Sequence, residues 1–169
     1  MLRILIPVNG SANCTFAVRQ VIKEFMNNPA MEIHLLNVQP PLNRDITRFF
    51  SANSIHDYHH DESAKALKTT RQLLDSFSIP CTVHEAVGAR AKTIADMAQH
   101  LHCDQIVMGT ARKNSLTRLV EASVTNRVIE LTSVPVEVVA GDAISRAERY
   151  GIPAALVVAL AAMLLIADQ

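Results

Sequence analysis

Three short segments carry residue types that could do chemistry: Asn9-Gly10-Ser11, Val38-Gln39-Pro40, and the run from Gly109 to Ser123. The last says most. Gly109 lets backbone approach a ligand closely, and Ser123 is expected at a helix start, where free N–H groups and the helix dipole favour an anion. Between them Arg112, Lys113 and Arg118 face the single acid Glu121. Such a loop suits a phosphate, although a turn glycine, a capping serine and a solvated basic loop share the same letters.

Other clusters point less firmly to a site. His56, His59 and His60 stand among Asp57, Asp61 and Glu62, and their spacing brings two imidazoles onto one helix face. A metal needs more convergent ligands, so the cluster reads as the solvated first turn of a helix, and no metal site is expected. His84, His100 and His102 are isolated. Cys14, Cys81 and Cys103 read as small hydrophobes without an activating neighbour. The chain has neither a Gly-x-Ser-x-Gly elbow nor a Gly-x4-Gly-Lys-Ser/Thr loop. No residue reads as a water-activating base, and no catalytic residue is assigned.

The elements that must position these segments follow from hydrophobic periodicity. Leu2 to Val8 is a short apolar run closed by a turn, the pattern of a buried strand entering a helix that Ser11 or Asn13 can cap. Phe16, Ala17, Val21, Ile22 and Phe25 recur at helical spacing until Asn27-Asn28-Pro29 stops them. Further strands are expected at Met31 to Val38, Cys81 to Val87, Gln105 to Met108 and Val134 to Val139. Helices are expected over 57–77, around Ala91 to Leu101, and from about Ser123 to Leu131, with residues 42–56 as loop. Five continuously apolar strands alternating with four helical segments demand an α/β fold: one parallel sheet covered by helices on both faces. In such a sheet the ligand crevice lies beyond the carboxyl ends of the strands, where their order reverses.

The chain of 169 residues is one domain's length, and 16 Lys+Arg against 16 Asp+Glu leave no net charge to attract nucleic acid. Three cysteines without short spacing fit a reducing interior, and Met1 runs directly into a strand without a secretion leader, so a cytoplasmic body is expected. The end of the chain differs. Tyr150 to Ala167 contains no charged residue, and as a helix, apolar on every face, it would measure roughly 27 Å against a bilayer core of about 30 Å. Arg146 and Arg149 precede it and Asp168 follows, an arrangement that suits attachment to a membrane from the inner side. Burial between subunits of an oligomer is the rival account. The domain is therefore drawn at 1–141, with 142–169 as linker plus apolar helix.

The strings Ile4-Leu5-Ile6-Pro7-Val8-Asn9-Gly10-Ser11, Ile33 to Pro41, and Cys103-Asp104-Gln105-Ile106-Val107-Met108-Gly109-Thr110 followed by Val134-Pro135-Val136 resemble a universal stress protein domain over about residues 1–140. The resemblance implies a Rossmann-like sheet of order 3-2-1-4-5, a homodimer through the fifth strand (Val134 to Val139), and ATP or AMP at the carboxyl edge. The implied site comprises Asn9, Val38, Gly109, Arg112, Ser123 and Val124. Nucleotide-binding members carry an aspartate after strand one and Gly-x2-Gly-x9-Gly-Ser/Thr after strand four. Here Asn9 replaces the acid, which could accept from two ribose hydroxyls, and Arg112 and Ala122 replace two glycines. Val38 would face the adenine through its backbone. The resemblance implies a non-catalytic, dimeric stress-response module of bacterial type with a degenerate nucleotide crevice. The alternative is an ATP- or AMP-binding switch, or weak ATPase, using Gly109, Arg112 and Ser123 as a modified phosphate cradle.

Overall fold

The computed structural model describes residues 1–110 and 116–141, and side chains for all of these except Arg44, Ile46 and residues 116–123. Five strands are present: β1 (Leu2–Pro7), β2 (Met31–Gln39), β3 (Thr82–Val87), β4 (Gln105–Thr110) and β5 (Val136–Ala140). Helix α1 (Ala12–Asn27) follows β1; α2 (Arg44–Thr47) and α3 (Ala52–Ser76) follow β2. Helix α4 (Arg90–His100) follows β3, and α5 (Leu116–Leu131) follows β4. The strands form one parallel sheet of order β3-β2-β1-β4-β5, with Ile4 opposite both Ile33 and Gln105.

Both faces of the sheet are covered, which is why the central strands read as unbroken apolar runs. Ile4, Ile6 and Val107 pack on one side with Val18 and Val21 of α1 and Leu67 and Leu74 of α3. Leu5, Leu36 and Ile106 pack on the other with Ile94 and Ala98 of α4 and Val128 of α5. The edge strand β3 departs from this rule, since Thr82, Glu85 and Val87 are exposed.

Two helices begin earlier than the periodicity predicts. Helix α3 starts at Ala52 because Ser51 caps it, its hydroxyl accepting from the Ser54 N–H at 3.1 Å. His56, His59 and His60 therefore stand beyond the helix's first turn. Helix α5 starts at Leu116, not near Ser123. No glycine or proline interrupts Leu116 to Ser123, and Ala122, the best helix former, occupies the place where a glycine would break the helix. Ser123 is consequently inside α5, two turns from the start, and has no helix-terminal N–H groups beside it. Among the described residues no helix is long and apolar enough to cross a membrane, and the tail expected as a helix lies outside them.

Candidate functional site

The crevice begins where β1 ends. The Val8 N–H donates to the Leu36 carbonyl at 2.8 Å, holding the strand tips together, and Gly10 turns the chain at φ +77, a conformation that favours glycine. The Asn9 Oδ1 accepts the Ser11 N–H at 3.0 Å and the Cys14 thiol at 3.0 Å. Ser11 is the N-cap of α1, but its own hydroxyl makes no cap bond; the turn is closed by Asn9 instead. The side chain expected to face a ligand thus spends its acceptor on the protein.

Asn9, Val38, Gly109 and Val124, four of the six residues assigned from sequence, line one hollow of about 620 Å³, its open mouth included. Its floor is apolar, with Leu36, Ile94 and Met108 beneath, and Arg90 and Thr125 stand in its wall. A flat aromatic ring fits such a floor, with polar groups left to the rim. Arg112 lies outside the described residues, and Ser123 is placed only by its helix. Gly109 also serves the packing: a Cβ there would lie 2.0 Å from the Asn13 carbonyl oxygen. The missing side chain admits the first turn of α1 against β4.

A second hollow of about 680 Å³ adjoins the first and shares Asn9, Val38 and Arg90 with it. This one is polar. Asn37, fully buried, ties its floor together: Nδ2 donates to the Val8 carbonyl at 2.7 Å, and Oδ1 accepts from Ser63 and Gln39 at 2.9 and 2.8 Å. In its wall Lys65 pairs with Glu62 at 2.7 Å, a bond that raises the lysine pKa. Arg90 has no side-chain hydrogen bond or ion pair among the described residues and lines both hollows. Sequence reasoning missed it, yet the crevice rule that singles out the turns after β1, β2 and β4 extends to Gly88-Ala89-Arg90 after β3.

The remaining titratable groups lie elsewhere. His60 Nδ1 meets Glu85 Oε2 at 2.9 Å, a hydrogen bond that raises the His60 pKa. Among the described residues no group of three or more His, Cys, Asp or Glu side chains is placed to hold a metal ion. Burial pushes the Cys81 and Cys103 thiols up, away from the thiolate that would react.

A sequence model of the universal stress protein family matches residues 1–140. The chain belongs to the universal stress protein family. Universal stress protein MJ0531 of Methanocaldococcus jannaschii is 29% identical over 140 residues, covering 81% of each chain. Among solved structures, the hypothetical protein MJ0577 superposes with a TM-score of 0.67 at 24% identity, covering 84% of this chain and 97% of its own. The universal stress protein family protein At3g01520 of Arabidopsis thaliana, solved with AMP bound, superposes at 0.61 and 15% identity, covering 85% and 94%. Two more structures of universal stress proteins, one in complex with cAMP and one from Archaeoglobus fulgidus with dAMP, superpose at 0.59, with 14% and 16% identity, 82% of this chain and 96% and 98% of theirs. These likenesses show the fold that the chain shares with those structures.

Proposed function

We propose that this universal stress protein domain is a regulatory module whose crevice holds an adenine nucleotide without hydrolysing it. The observation that carries the reading is the hollow at the carboxyl edge, where Asn9, Val38, Gly109 and Val124 converge over an apolar floor. It stands beside the end of β1, between β2 and β4, where strand order reverses. AMP, cAMP and dAMP complexes of other family members support the same ligand class. The site's described residues include no aligned acid-base pair, and its one cation, Arg90, binds charge but does not activate water. Calorimetric titration of the full chain with adenosine and its nucleotides tests the reading. Saturable one-to-one binding without phosphate release is expected. Absence of binding by every adenine compound at millimolar concentration contradicts it. Release of phosphate from ATP that Arg112→Gly abolishes would replace it with the ATPase reading.

The module works as a homodimer in this proposal, joined through β5. That strand pairs only with β4 among the described residues, and Val138, Ile129 and Leu131 expose apolar surface at this end of the sheet. The apolar stretch 150–167 attaches the cytoplasmic body to a membrane. Sedimentation of Val138→Lys as a monomer, against a dimeric parent, supports the first statement; an unchanged dimer refutes it. Detergent-free fractionation of the full chain and a 1–141 truncation decides the second, which fails if both stay in the supernatant.

A further inference from the structure

We infer that the rim where the two hollows meet binds a phosphate on the 2′,3′ edge of the ribose, so that the crevice selects 2′- or 3′-phosphorylated adenine nucleotides over 5′-AMP and adenosine. The inference rests on the reading of the crevice as an adenine-nucleotide site and names the form of nucleotide it takes. A base lying on the apolar floor carries its sugar to the polar rim, where Asn9 and Arg90 stand.

At that rim Asn9 and Arg90 both present donors. Asn9 Oδ1 already accepts two bonds, from the Ser11 N–H and the Cys14 thiol, which fill its two lone pairs. The Ser11 N–H is a donor in every state, so it also fixes which way the Asn9 amide points. What Asn9 offers the crevice is its NH2 group. Arg90 adds a guanidinium, which only donates and never loses its charge. Lys65 and Glu62 neutralise one another, so among the described residues Arg90 is the uncompensated charge of the rim.

A free ribose diol needs an acceptor for its hydroxyl protons and finds none in these two side chains. A phosphate presents acceptors alone, carries negative charge and matches a guanidinium fork. The same chemistry separates dinucleotide sites, where a carboxylate takes the ribose diol and an arginine takes a ribose phosphate.

Calorimetry on the full chain with adenosine, 5′-AMP, 2′-AMP and 3′-AMP reads the preference directly. The expected result is that 3′-AMP or 2′-AMP binds about tenfold tighter than 5′-AMP, the margin of one charged hydrogen bond. Arg90→Ala, a change at an exposed position, brings the ligands to within about twofold, while Arg90→Lys keeps part of the margin. Asn9→Asp, which adds a negative charge, weakens the 3′-phosphorylated ligand and favours adenosine. Equal or tighter binding of 5′-AMP, or a margin that survives Arg90→Ala, overturns the inference and leaves the nucleotide reading standing. Failure of all four compounds to bind overturns both.

Discussion

A methyl group on Gly109 would meet the Asn13 carbonyl oxygen at 2.0 Å, a contact with backbone that no rotamer change relieves. Gly109→Ala is therefore expected to lower unfolding stability by about 1–3 kcal/mol, the usual cost of overpacking, through displacement of α1 from β4. Urea unfolding of the two proteins checks it, and equal midpoints would contradict it. The letter is legible in the sequence, but its purpose is not: a glycine at a strand end serves a ligand or a neighbouring helix alike until the packing is known. Asn9 and Val38 are legible because each closes an apolar run at the carboxyl edge. That the Asn9 oxygen would be spent within the turn is not legible, since it depends on Cys14, in the first turn of α1. Arg90 escapes notice because an arginine opening a helix has no periodicity of its own.

At the scale of elements, α3 and α4 both end on a non-glycine residue in the left-handed region, Ser78 at φ 54 and His102 at φ 51. The N–H of the next residue then reaches back, Ile79 to the Leu74 carbonyl at 3.1 Å and Cys103 to the Ala98 carbonyl at 2.9 Å. Glycine holds this conformation without a Cβ penalty. Ser78→Gly, at an exposed position, is expected to raise stability by about 0.5–1 kcal/mol; a loss of stability would show that the turn is held by contacts of the serine instead. The five strands are readable because buried parallel strands are apolar throughout. Helix starts are less so. Ser51-Ala52-Asn53-Ser54 has the letters of a loop, and only the Ser51 hydroxyl makes it a cap. Leu116 to Ser123 resembles a family segment that ends in glycine, while its own letters simply continue a helix.

For the molecule as a whole, stability carries a pH dependence set by opposed histidines. His84 shares a 3.0 Å hydrogen bond with buried His34, whose Nε2 lies 3.3 Å from Glu32 without hydrogen-bond alignment. Burial first and the neighbouring His34 second hold the His84 pKa below its ordinary value. The unfolded chain then binds the His84 proton more readily than the folded one, so stability is present above about pH 6.5 and is lost as pH falls through the folded pKa. His60, raised by Glu85, acts in the opposite sense: its contribution is present below about pH 6.5 and lost as pH rises, but the imidazole is exposed and solvent screens it. The fall in urea midpoint between about pH 7.5 and 5.5 is expected to shrink in His84→Gln; an unchanged fall would place the titration elsewhere.

The sheet order puts β1 between β2 and β4, and the two hollows open where their carboxyl ends meet. The claim that this crevice is a nucleotide site is tested most directly by amide spectra of the full chain during titration with 3′-AMP. Shifts concentrated at Asn9, Val38, Arg90, Gly109 and Thr125 are the predicted result. Unmoved amides there, with either no shifts at all or shifts gathered around His60 and Glu85, would contradict it.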